Sequence, residues 1–152
     1  MNTKYDKTKY KIKTWKNPEM LFWIINPGII INELIFGQRV PKVMLIDRES
    51  DKPLSEKTLI PCPHCGTLHA NQKWTPQNKT AYGNWFGLYC DHCNNTIPCL
   101  RNLTSLIFIV ISKPILYWFK DRWKKQWLEE QKIKFSQPLI LTQAEFDWRK
   151  IG

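Results

Sequence analysis

Two short motifs constrain this chain more than anything else in it: Cys62-Pro-His-Cys65-Gly66 and, 24 residues further on, Cys90-Asp-His-Cys93-Asn94. A C-x-x-C step can close a tight turn whose backbone N–H groups point at both thiolates, and two such turns face to face present four sulfurs at tetrahedral geometry. Gly66 and Asn94, just after the second cysteine of each pair, are residue types that tolerate the positive φ often needed there. The alternatives are disulfides or free buried thiols. Paired C-x-x-C motifs in a chain lacking an export signal are read as a metal site instead. Met1 to Lys16 is lysine-studded and polar, and the apolar run after it has no small-residue cleavage site, so no cleaved signal is read here. Four thiolates leave no coordination position for water. The metal is therefore expected to be zinc in a structural role, which argues against a zinc hydrolase.

On these knuckles and their spacing, residues 60–100 resemble a zinc ribbon, in which two knuckles, each on a hairpin, grip one zinc ion. The resemblance implies a metal and a small β fold, and no particular reaction. CPHCG also resembles a rubredoxin knuckle, which implies iron in the same four sulfurs and an electron carrier as a further alternative. The whole layout, an Asn-Pro-Gly segment, the ribbon and then an apolar stretch, resembles uncharacterised small bacterial membrane-associated zinc-ribbon proteins.

Around the knuckles, His64 and His92 hold equivalent third positions and are expected to face solvent. Cys99 is expected to pack in the interior, because the tetrahedral set is already complete. Trp74, Tyr82, Trp85, Phe86 and Tyr89 lie between the knuckles, where aromatics complete a core too small to close otherwise. A base-stacking platform is the competing reading, but only Lys73 and Lys79 are basic there.

The rest of the chain divides by charge and hydropathy. Residues 1–18 carry six Lys against Asp6, a basic N-terminal arm of net charge +5 expected to be solvated or surface-bound. Residues 19–36 are apolar but cut by Asn26-Pro27-Gly28, which predicts two short pieces hinged at a turn, a helix-turn-helix or re-entrant segment, since Pro ends a helical ladder and Gly frees φ. Residues 37–100 form the ribbon module, with a strand at Val43–Asp47. Residues 101–134 are apolar from Leu103 to Phe119, broken at Lys113-Pro114, then basic; from Lys113 to Lys134 seven Lys and Arg stand against three acids. Residues 135–152 are a tail in which Thr142 and Glu145 match a capping box for a short helix. The fold class is thus α+β: a four-cysteine β module flanked by apolar and amphipathic helices.

A formal charge of +10 calls for an anionic partner, and its placement decides which. Ile115, Phe119, Trp123 and Trp127 recur every four residues, with Lys120, Arg122, Lys124 and Lys125 around the rest, the pattern of a helix lying in a membrane interface. Trp23 and Phe36 of the first apolar segment join this set as expected interfacial residues. If both apolar stretches crossed the membrane, the ribbon would face the side opposite the basic flanks, usually the oxidising one. Two half-depth insertions from the cytoplasmic side satisfy the charges, the prolines and the reduced thiols together; a marginal span at 103–119 is the alternative.

Phosphate loops, nucleophile elbows and His pairs at helical spacing are missing from the sequence. The expected function is that of a non-enzymatic, monotopic zinc-ribbon protein on an anionic cytoplasmic membrane face, presenting the ribbon to a protein partner. A nucleic-acid-binding ribbon is the alternative.

Overall fold

The computed structural model describes residues 5–137; the expected helix near Thr142 lies outside them. Four strands form one antiparallel sheet in chain order: β1 (Tyr10–Lys13), β2 (Met44–Asp47), β3 (Thr58–Pro61) and β4 (Leu68–Ala70). β2 is the strand expected at Val43–Asp47. β1 corrects the picture of a solvated arm. Ile12 sits opposite fully buried Leu45, while Lys11 and Lys13 alternate with it along the sheet edge. Charged residues suit an edge strand, because they discourage pairing with a foreign strand. A second, two-stranded sheet pairs β5 (Leu88–Tyr89) with β6 (Thr96–Ile97). A one-turn helix, α2 (Leu54–Lys57), precedes β3.

The first apolar segment is two helical pieces. α1 (Pro18–Ile25) starts on a proline, whose missing N–H costs nothing in a first turn, and stops at Asn26, ahead of Pro27. Asn26 Oδ1 accepts from Gly28 N at 3.0 Å and closes the turn. A wide helical turn follows at Ile31–Ile35, and it carries Glu33 fully into the interior.

A buried carboxylate must be paired and hydrogen-bonded. Glu33 Oε1 is ion-paired with Arg39 Nη1, and Oε2 accepts the backbone N–H of Asn102 at 2.8 Å. Arg39 also donates from Nε to Asn84 O (3.1 Å) and from Nη2 to Trp85 O (2.7 Å), in the loop between the two knuckles. Beside it, Gly37 at φ +65° packs so closely that a Cβ there would lie 2.9 Å from Gly83 Cα and Asn84 N. Gly83 N and Asn84 N bond Phe36 O and Gly37 O, each at 2.8 Å.

α3 (Leu103–Ser136) is 34 residues long. Asn102 caps it, accepting from Thr104 N and Ser105 N, and spends its amide N–H groups on Trp23 O (2.7 Å) and Asn26 O (2.6 Å). The break expected at Lys113-Pro114 is not an end: helix continues through Pro114. It is a bend. At 1.5 Å per residue a straight helix would separate Asn102 from Trp127 by about 37 Å. Yet Trp127 Nε1 donates to Gly83 O at 2.5 Å, one residue from the carbonyl that Arg39 holds. The bonded path from Asn102 through Glu33, Arg39, Asn84 and Gly83 to Trp127 reaches at most about 26 Å. Two arms of such length close that gap only if the axis turns through roughly a right angle, and Pro114, near the midpoint, lacks the N–H that Val110 O would accept.

Candidate metal centre

Each C-x-x-C motif sits in the turn of a hairpin, Cys62 and Cys65 between β3 and β4, Cys90 and Cys93 between β5 and β6. The knuckles close as their sequence dictates. Cys62 N bonds Thr67 O and Gly66 N bonds Cys62 O, each at 2.9 Å, with Gly66 at φ +75°. Cys90 N bonds Asn95 O at 2.9 Å, with Asn94 at φ +56°.

The four sulfurs converge. Cys62 Sγ lies 3.7 Å from Cys93 Sγ, Cys65 Sγ lies 3.7 Å from Cys90 Sγ, and all four fall within 4.8 Å of one another. Metal–sulfur bonds of about 2.3 Å at tetrahedral angles set sulfurs about 3.8 Å apart. The cluster therefore fits a four-thiolate metal ion. None of the cysteines is in a disulfide. Cys62 and Cys90 are fully buried and share one apolar cluster with Ile60, Leu88 and Ile97, so the site is part of the core. Hydrogen bonding to Thr67 holds the Cys65 thiol down to about 5, whereas burial pushes Cys90 up to about 12 and raises Cys62.

His64 and His92 are exposed, and neither joins the cluster. His69 is different: buried, with Nε2 3.1 Å from Cys90 Sγ. Burial, then the charge of Lys73, lowers its pKa, so the neutral ring can donate an Nε2–H to the sulfur. Lys73 pairs with Asp91 at 2.6 Å on its other side. Four of the aromatics between the knuckles pack against α3, with Tyr89 and Trp74 meeting Phe135 and Trp85 and Phe86 meeting Trp123, whereas Tyr82 is 46% exposed and its ring meets Phe36 instead of completing the core. Cys99, packed against the same apolar cluster, is no ligand.

The residues expected at a membrane interface differ in exposure. Phe36 (51% exposed), Phe119 (61%) and Trp123 (42%) are open, as are Lys120, Arg122, Lys124 and Lys125. Trp23 is half-buried beneath the cap of α3. Trp127 is a correction: it is 1% exposed, its indole bonded to Gly83 O and its ring 5.4 Å from that of Phe86, so it faces the ribbon and not lipid. Among the described residues α3 is the one helix long and apolar enough to cross a membrane, and only 6% of its apolar stretch is buried.

A family model matches residues 13–109, from β1 into the first arm of α3. The chain belongs to the family described as Domain of unknown function (DUF8250). The matched region holds all four cysteines and the whole Glu33–Arg39–Asn102 junction, and stops short of Trp123, Trp127 and the basic run. No curated protein and no solved structure matches the chain. Sequence reasoning passed over Glu33, Arg39 and Asn102; an asparagine directly ahead of an apolar helical run was the available signal for the cap.

Proposed function

We propose that this chain is a non-enzymatic scaffold on the cytoplasmic face of an anionic membrane, with structural zinc fixing the ribbon that a protein partner reads. One observation carries the reading. A body rigidified around four converging thiolates exposes the apolar residues of α1 and α3 together, including Phe22 (58%), Ile25 (59%), Ile111 (72%) and Trp118 (82%). Patches of that kind on soluble proteins mark interaction surfaces. Lysine and arginine beside them favour anionic headgroups at about 1 kcal/mol each. Free thiolates favour the reducing, cytoplasmic side. A closed four-sulfur sphere suits folding rather than catalysis.

The test begins with metal analysis and a visible spectrum of natively produced chain, then sedimentation with phosphatidylglycerol-containing vesicles. A single zinc per chain, no visible bands, and binding that survives high salt but not detergent are expected. Iron with charge-transfer bands would move the reading to an electron carrier. Protein left in the supernatant, or bound to single-stranded oligonucleotide with a steep salt dependence, would replace the membrane by nucleic acid.

A further inference from the structure

We infer that α1, the turn after it and the bent α3 form a re-entrant wedge that enters and leaves an anionic bilayer through the same leaflet. The inference rests on the membrane reading and adds its topology. Both ends of the apolar stretch are tied to one body. At its start Asn102 is bonded to Glu33, Trp23 and Asn26; beyond it Trp127 is bonded to Gly83 and Lys134 Nζ reaches Tyr82 O at 3.5 Å. The residues between, Leu106, Ile107, Phe108, Val110, Ile111, Ile115, are 43 to 72% exposed.

Neither arm is long enough to cross alone. Leu103 to Lys113 covers about 17 Å, and Pro114 to Trp127 about 20 Å, against a hydrocarbon core of about 30 Å. Lys113, at the bend, sets the depth, because its ammonium must reach headgroups along its own stem. The apex therefore lies within about 10 Å of the headgroup boundary, the depth of an interfacial helix. Phe22, Ile25, Ile31, Ile35 and Phe36 are exposed on the segment bonded beneath the cap and make the base of the wedge. Charge selects the occupant. No acid occurs between Leu103 and Lys120, and a second copy of a chain carrying +10 would bring like charges together, whereas an anionic leaflet neutralises them.

The test uses the full zinc-loaded chain added to sealed phosphatidylglycerol-containing vesicles, in a Cys99→Ser background where zinc shields the remaining thiolates. Ser55→Cys reports the ribbon and Lys132→Cys the far end of α3; both sites are exposed. An impermeant maleimide supplied outside is expected to label both fully without detergent. Ile111→Cys carrying a nitroxide is expected to show oxygen-rich, shallow-bilayer accessibility. Binding with one of the two ends protected until detergent is added would show a crossing helix and overturn the wedge while leaving membrane association intact. Failure to bind vesicles at all, or a stable dimer in detergent-free buffer with Ile111 shielded from both oxygen and aqueous quencher, would overturn both.

Discussion

The backbone amide of Asn102 donates to Oε2 of Glu33 at 2.8 Å, across 69 residues of sequence. That bond joins the N-terminus of α3 to the first apolar segment, and through Arg39 to the loop between the knuckles. Asn102→Ala removes the helix cap together with two donors to the Trp23 and Asn26 carbonyls. A loss of about 2 to 4 kcal/mol is expected, from a cap and two hydrogen bonds of ordinary worth. Asn102→Asp keeps the cap oxygen but turns a second carboxylate oxygen toward the Trp23 and Asn26 carbonyls beside Glu33, so its melting temperature is expected to fall at least as far as that of the alanine variant in thermal circular dichroism.

Glu33→Gln leaves the Arg39 guanidinium buried without its countercharge. Breaking a buried pair from one side costs about 3 to 5 kcal/mol. Urea denaturation is expected to show the loss, and the pairing is disproved as a stabilising element if the midpoint does not move.

His69 bonds one sulfur of the cluster from behind. Removing a group that orients a metal ligand lowers metal affinity about 10- to 100-fold. His69→Ala is expected to show this in competition with a chromophoric chelator, while exposed His64→Ala and His92→Ala stay at parent affinity.

Burial pushes the Cys99 thiol from its ordinary 9.0 up to about 12. The folded state favours the neutral thiol, so the contribution is full below pH 9 and is lost as pH rises toward 12. Stability of the zinc-loaded protein is expected to decline over that alkaline window, less so in Cys99→Ala. At pH 8.5 iodoacetamide is expected to leave Cys99 unmodified until denaturant is added, as read by mass spectrometry.

Replacing Lys120, Arg122, Lys124 and Lys125 together by Gln removes four exposed cations next to the apolar arm. At about 1 kcal/mol per charge, binding to anionic vesicles is expected to weaken by up to about a thousandfold at low salt. Binding to neutral vesicles and the melting temperature are expected to hold.

Local chemistry was legible in the sequence. The spacing of four cysteines announces their convergence because each knuckle is a turn within a few residues, and Gly66 and Asn94 adopt the positive φ their types suggest. The Asn26-Pro27-Gly28 turn is likewise self-contained. What escaped was non-local. Glu33 was passed over because its partners lie six and 69 residues away. Lysine density hid the alternation of β1. A four-residue period showed that Trp123 and Trp127 share a face, but periodicity does not reveal what covers it, and the ribbon covers Trp127.

Because the bent helix comes back to the body it left, no hydrophilic stretch among the described residues has to be hauled through hydrocarbon for the chain to settle in a membrane. On the wedge reading, the described residues would finish folding around a bound ion in water and reach the lipid afterwards, with no polar segment of theirs carried across it.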